Sequence, residues 1–285
     1  LDSDGVAWYS DFGSQFVGEL DTKTGKVTEY PIPVVRPDAP KGSLNIALDK
    51  DQNVWLSMMY QASIVKLDRK TKELKQYAFP KDWTTVSTQA SMISPQNSHV
   101  DGYVWTNNQE THSVYRFNTK TETFENKGVA TDPAGKHISG YGMPTDGQNN
   151  VWLLEFGSSK IGRVDAKTNV ATIWEVPTAG SRPRRGRFDE QGNLFFAEYG
   201  ADKVGMFDPK AEKFTEWKTP TPWSAPYDAQ KDSAGYAWTG SMINDHVTRI
   251  NTKTGEVVDY LMPRTTNIRR VFTDNTTNPP SLWVG

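Results

Sequence analysis

One pattern recurs along the chain at intervals of 43 to 50 residues, and it restricts the fold more than any other feature. The units "NVWLLEFGSSKIGRVDAKTNVATIWEVP", "NLFFAEYGADKVGMFDPKAEKFTEWKTP" and "YAWTGSMINDHVTRINTKTGEVVDYLMP" show it clearly, and three earlier units follow it more loosely. Each unit has an aromatic anchor: Trp8, Trp55, Trp105, Trp152, Phe195 and Trp238, with a seventh, Trp283, in the closing "LWVG". The anchors are 47, 50, 47, 43, 43 and 45 residues apart, whereas an Asp or Asn always follows thirteen residues later, at Asp21, Asp68, Asn118, Asp165, Asp208 and Asn251. Constant inner spacing with variable outer spacing predicts rigid hairpins joined by adaptable loops.

Around Asp165, "KIGRVD" alternates polar and apolar residues, "AKTN" turns, and "VATIWEVP" alternates again, the period of a half-buried strand. Asp or Asn opens such a turn by bonding its own backbone, and Gly25 and Gly255 can supply positive φ. Proline after the last strand blocks further ladder pairing. No apolar period of 3.6 residues persists long enough for a core helix. Repeats of this length with four strands apiece predict an all-β fold, a seven-bladed β-propeller of four-stranded antiparallel blades. A blade cannot bury both faces alone, so neighbours must stack. Solenoid stacking is the alternative, but its repeats are usually shorter and less aromatic.

Composition agrees. Ten Trp, eleven Tyr and twelve Phe accompany 22 Gly and 17 Pro, a mixture that favours short strands and turns. A formal charge of −2 gives no global attraction to nucleic acid or membrane, and no apolar run is long enough to span a bilayer. The absence of cysteine excludes disulfides and thiolate metal sites without settling the compartment. Leu1-Asp2 precede Trp8 by the interval at which Leu48-Asp49 precede Trp55. That predicts a single propeller domain over residues 1–285 whose first and last blades are incomplete, with further strands, and room for further domains, in sequence outside it.

The candidate site follows from the blade geometry. Loops entering the innermost strand, and loops joining the second and third strands, share one face of a propeller. Eleven residues before the anchors, the innermost strand should begin, at the mouth of the axial channel. Those positions include Tyr141, Arg184 and Tyr227, and the longer turn of the last unit moves the equivalent to Arg269, followed by Arg270. Three residues past the anchors, on the same face, stand Asp11, Glu155 and Glu198, and His246 lies in the next such loop. Arginine offers a planar fork to carboxylate or phosphate, and tyrosine adds a ring and a hydroxyl. The expected ligand-binding residues are therefore Tyr141, Arg184, Tyr227, Arg269, Arg270 and Asp11, with Glu155, Glu198 and His246 as acid–base candidates. A second reading has Arg184 and Arg269 paired with Glu155 and Glu198 as internal struts. Arg182, Arg185 and Arg187 are expected at the rim or in solvent, and the anchors in the core. Glycine-rich phosphate loops, nucleophile elbows and zinc-spaced histidines are absent. "DKDQN" and "TDGQNN" read as turns rather than calcium loops.

On the units quoted, the chain resembles the streptogramin B lyase (virginiamycin B lyase) family of seven-bladed propellers, over essentially its whole length. The resemblance implies elimination at an ester linkage of a cyclic depsipeptide, with a magnesium ion, histidines in Pro-His-Gly motifs and a nearby glutamate. Here the histidine positions fall on Tyr141, Arg184, Tyr227 and Arg269, while Glu155 and Glu198 match the glutamate pattern. Arginine stays protonated and is a poor base. "PRRGRFD", "TPWSAPYD" and "NIRRVF" also resemble lyase-like bacterial envelope proteins that often follow a carboxypeptidase-regulatory-like domain, which implies a periplasmic or secreted protein. The expected function is therefore binding of an anionic small molecule or peptide at the channel mouth. The alternative is a lyase or hydrolase acting on an ester or lactone with a divalent metal, magnesium or calcium.

Overall fold

A computed structural model describes residues 1–285. Apart from one 3-10 turn at Lys81–Thr84, all regular structure is strand, and no helix is long and apolar enough to cross a membrane. The chain divides into two compact units: Leu1–Ser139 with Gly147–Val151 and Asp165–Ala171, and Gly140–Asp146 with Trp152–Val164 and Thr172–Gly285.

In the first unit, strands Val6–Ser10, Phe16–Asp21 and Val27–Pro31 form a three-stranded meander. Asn45–Leu48, Val54–Met58, Ser63–Leu67 and Leu74–Ala78 form a four-stranded one. Ala90–Ser94, Tyr103–Asn108, Ser113–Asn118 and Thr123–Thr131 follow, with His137–Ile138 as a fifth strand. Strands Val151–Glu155, Lys160–Val164 and Ala171–Glu175 lie in the second unit except for Val151 and Ala171, which belong to the first. Pro183–Phe188, Leu194–Glu198, Lys203–Asp208 and Lys213–Lys218 come next, then Pro226–Lys231, Tyr236–Ser241, His246–Asn251 and Val257–Leu261. A two-stranded ribbon, Val271–Asp274 with Ser281–Val284, carries Trp283.

This is an all-β propeller fold with six blades of three to five strands, rather than seven four-stranded ones. The discrepancy has a simple cause: an aromatic anchor marks only the second strand of a unit, so counting anchors also counts the ribbon. In the fourth blade the innermost segment runs through Gly142 and Pro144. It meets its neighbour at the Gly142–Leu154 bridge, through the Tyr141 amide bonded to the Leu154 carbonyl, and through the Trp152 amide bonded to the Pro144 carbonyl.

Local chemistry explains the repeat. Asp165 Oδ1 accepts the amides of Lys167 (3.0 Å) and Thr168 (2.8 Å). Asp21, Asp68, Asn118, Asp208 and Asn251 do the same for their own turns. The residue four positions on has positive φ, and it is glycine only at Gly25 and Gly255; Lys72, Glu122, Asn169 and Glu212 accept the left-handed conformation. A second rule concerns the anchors: the indole of Trp8, Trp55, Trp152 or Trp238 donates to an Asp six residues earlier, at 2.7–3.0 Å. Asp49 of "DKDQN" and Asp146 of "TDGQNN" are thus engaged in turns. Trp8, Trp55, Trp105, Trp152 and Phe195 are buried as expected, but Trp238 is half-buried and Trp283 is 39% exposed.

Within each unit, successive blades stack through apolar layers. In the second unit one layer holds Trp152, Leu154, Ile161, Leu194, Phe196 and Phe207, and the next holds Phe195, Ala197, Val204, Ala229 and Ile250. Between Pro183 and Gly186 the pairing slips, so that Arg184 and Arg185 together face Ala197. The same bulge sets Tyr227 and Asp228 against Gly240 in the next blade. A bulge delivers two neighbouring side chains where simple alternation would deliver one. Gly186 closes the first bulge, and a Cβ there would stand 2.1 Å from the Phe195 carbonyl oxygen. Gly186→Ala should therefore cost about 2–3 kcal/mol, as overpacking against backbone does, read as a lowered denaturation midpoint; an unchanged midpoint would show that the bulge relaxes freely.

Candidate functional site

The two bulges create a compact cluster in the second unit. The Arg184 guanidinium lies among four rings, with its central carbon 3.9 Å from the Tyr227 centroid, 4.3 Å from Phe156, 4.6 Å from Tyr199 and 4.7 Å from Tyr141. Each contact is favourable because the ring face is electron-rich. Tyr141 and Tyr227 share a short hydroxyl–hydroxyl hydrogen bond, and an Arg184 Nη is 3.5 Å from the Tyr141 hydroxyl. Arg182, exposed and at φ 52°, covers the Phe156 ring at 4.0 Å.

Arg185 is the least expected member. It is only 4% exposed, its Nε has no hydrogen-bond partner, and no carboxylate pairs with it. Its guanidinium sits 5.3 Å from the Tyr141 ring and 5.6 Å from the Tyr227 ring. Beside it, one buried carboxylate, Asp228, serves both Arg187 (3.3 Å) and Arg270 (3.6 Å). Arg187 also donates to Gln230 Oε1 and to the Val271 carbonyl, both at 2.8 Å. Two guanidiniums thus share one carboxylate, while Arg184 and Arg185 lie among rings with none. Burial and then Arg185 push the Arg270 guanidinium down to about 9, Arg187 adding to the effect and Asp228 opposing it. Burial alone would raise the Tyr141 phenol, but Arg185, the hydrogen bond from Tyr227 and Arg184 outweigh it and bring Tyr141 to about 8.

The structure therefore brings Tyr141, Arg184, Tyr227 and Arg270 together and leaves other candidates elsewhere. Arg269 is exposed and its Nε donates to Asn267 Oδ1 at 2.8 Å, so just before strand Val271–Asp274 it is Arg270 that turns inward to Asp228. Asp11 is an exposed turn residue of the first unit, accepting the Gly13 amide. Glu155 accepts the Ser158 hydroxyl at the end of its strand. His246 Nδ1 bonds the Asn244 carbonyl.

Glu198 is fully buried, and neither carboxyl oxygen has a hydrogen bond of good geometry. Desolvation first, then the neighbouring Glu216, push its carboxyl up to about 9, so it is neutral at physiological pH. Glu216 stays ionised, held by Thr178 Oγ1 (3.0 Å) and Lys203 (3.4 Å). Glu198 is thus engaged with Glu216 and does not act as a strut for Arg184. Arg185, expected at the rim, is buried because the bulge turns it inward beside Arg184. Phe156, Tyr199, Asp228 and Glu216 were also missed. The signal for the bulge residues is the shared pattern of Pro, two large polar residues and a small residue, at Pro183–Gly186 and Pro226–Ala229.

The residues present do not fit the divalent ion that the family resemblance implies. No group of three or more His, Asp or Glu side chains able to hold a metal exists, and the cluster is rich in guanidiniums, which repel a cation.

Fold and cluster together define a β-propeller that carries a cluster of arginines among aromatic rings. Residues 133–284, over half of the chain, match the virginiamycin B lyase family, and the chain belongs to that family. The structure is similar to virginiamycin B lyase from Staphylococcus aureus, with 18% identity and a TM-score of 0.80 over 100% of this chain and 89% of that one. A streptogramin B lyase structure aligns with 23% identity and a TM-score of 0.69 over 84% of this chain and 74% of the other. The extracellular domain of a one-component system from B. thetaiotaomicron aligns with 16% identity and a TM-score of 0.69 over 96% and 37%. At these identities the likeness concerns the fold. No curated protein matches the sequence.

Proposed function

We propose that residues 1–285 act as a single propeller domain that binds an anionic small molecule or peptide at the arginine–tyrosine mouth. The observation that carries this reading is Arg185. A buried guanidinium without a counter-ion is costly, and an arriving carboxylate or phosphate would supply the missing charge with bidentate geometry. Arg184, Arg187 and Arg270 add to the same positive field, and Tyr141 and Tyr227 provide hydroxyls to the bound group. Metal-dependent cleavage of an ester or lactone is supported by family membership alone, because the cluster offers no ligand set for the ion. A periplasmic or secreted setting accompanies the proposal, in keeping with the likeness to an extracellular domain.

Calorimetric titration of the whole chain with citrate, inorganic phosphate and an acidic peptide, at low and high salt, tests it. Saturable binding of at least one is expected, weakened by salt and lost about thirtyfold or more in Arg185→Met. Binding of none, or equal binding by wild type and variant, overturns the reading.

A further inference from the structure

Anion binding leaves the charge and shape of the anion open, and three features of the second unit narrow both. The first is charge balance. Arg187 and Arg270 share Asp228, while Arg184 and Arg185 have no carboxylate, so four guanidiniums against one carboxylate leave three positive charges uncompensated. After burial, Arg185 is the strongest influence holding the Arg270 guanidinium down, so the paired and unpaired arginines share one electrostatic environment. The second feature is spare donors. The Nε atoms of Arg184 and Arg185 are buried and have no hydrogen-bond partner, and the Arg184 fork reaches the Tyr141 hydroxyl at 3.5 Å. In the Tyr141–Tyr227 hydroxyl pair, whichever phenol donates, the other keeps a proton to give outside the pair. The third feature is compactness. Arg184 and Arg185 are successive residues of one bulge, and both guanidiniums lie 3.9–5.6 Å from the centroids of the same two rings, Tyr141 and Tyr227. The spare donors therefore surround a volume the size of one charged group.

We propose that the anion is a phosphoryl dianion, inorganic phosphate or the phosphate monoester of a small molecule, clasped between Arg184 and Arg185 with the Tyr141–Tyr227 pair donating to its third oxygen. This rests on the anion-binding reading and names its ligand class; binding alone is proposed, and no bond is made or broken. A carboxylate brings one charge and two oxygens, which two bidentate forks already occupy, so the spare phenol proton would find no acceptor. A dicarboxylate adds a second charge, but a carbon skeleton separates it from the first. A phosphate monoester carries about −1.5 to −2 charge at pH 7 and three strong acceptor oxygens on one atom. Those oxygens match the two forks and the phenol proton, and the charge offsets both unpaired arginines. Arg187 and Arg270, already engaged with Asp228, add to the field rather than to the bonds.

The test is calorimetric titration of the whole chain with inorganic phosphate, phenyl phosphate, phenyl sulfate and benzoate, at pH 5 and pH 7.5. The three aromatic probes share a ring and differ in the charged group. At pH 7.5 phosphate, in at least one of its two forms, should bind about tenfold or more tighter than phenyl sulfate and benzoate. At pH 5, below the second ionisation of a monoester at about 6, that advantage over phenyl sulfate should shrink to about threefold or less. Phenyl sulfate keeps one charge at both pH values and so controls for titration of the protein. Arg184→Met should bring phosphate and benzoate within about threefold of each other. Replacing both phenols, Tyr141→Phe with Tyr227→Phe, removes the spare proton and should cost phosphate about tenfold and benzoate less. Circular dichroism and thermal melting confirm that each variant is folded, and the comparison of probes on the wild type depends on no variant. Inorganic phosphate binding as tightly as phenyl phosphate supports the free ion as ligand; tighter binding of phenyl phosphate supports an ester. Phenyl sulfate or benzoate binding as tightly as phosphate overturns the phosphoryl assignment and leaves anion binding standing, as does failure of both phosphates where citrate or an acidic peptide binds. Failure of every anion overturns both.

Discussion

Glu198→Gln is expected to stabilise the protein by about 3 kcal/mol at pH 7 and to change little at pH 4. In the folded chain the Glu198 carboxyl keeps its proton up to about 9, because burial first and Glu216 second oppose its ionisation. In the unfolded chain the same group releases its proton near its ordinary value of 4.5. The folded state therefore binds the extra proton between those limits, and its stability falls as pH rises through that window, the reverse of the usual carboxylate behaviour. Glutamine has nearly the same shape and no proton to lose, so the variant should lack this slope. Glu216, whose carboxyl is lowered by Thr178, Glu198 and Lys203 against desolvation, contributes in the opposite sense and limits the gain. Urea denaturation at pH 4, 7 and 9 measures it. Parallel pH profiles for wild type and variant would show that Glu198 is ionised in the fold and that the burial argument fails.

A second substitution should make the protein more stable and less capable. Arg185→Met removes a buried charge that has no partner while keeping most of the side-chain volume. Relief of that burial, and of repulsion from Arg187 and Arg270, should exceed the lost contacts with the Tyr141 and Tyr227 rings, giving about 1–2 kcal/mol of net stabilisation at low ionic strength. Added phosphate should raise the melting temperature of the wild type, as any ligand confined to the native state does, and leave the variant almost unmoved. The Tyr141 phenol should also titrate higher in the variant, which ultraviolet difference spectroscopy can follow. A destabilised variant would mean that Arg185 is compensated in the native fold and that no anion is needed to complete the cluster.

Much of this architecture was legible before any coordinates. Anchor spacing and the Asp or Asn thirteen residues later specify repeated antiparallel meanders, because strand alternation and turn chemistry act over a few neighbouring residues. The family resemblance led to the same fold. Counting back from the anchors brought Tyr141, Arg184 and Tyr227 together, since within a blade one residue advances the chain by a nearly constant length, and the three do touch one another.

Counting failed wherever that regularity broke. The bulge at Arg184–Arg185 adds a residue, so both arginines turn inward, and just before the last ribbon it is Arg270 rather than Arg269 that reaches Asp228. Glu198 has the same position relative to its anchor as Glu155, yet it is neutral, because only the packed fold sets Glu216 beside it and Phe196 and Gly205 around it. Sequence alone determined the repeated antiparallel meanders and their turns, which are consequences of local periodicity, but not the number of blades or of strands in each. Tertiary structure alone decided which charges are paired, which are buried and which are left without a partner. Those outcomes depend on the solvent and charges that neighbouring blades remove or supply, and a linear spacing carries no information about either.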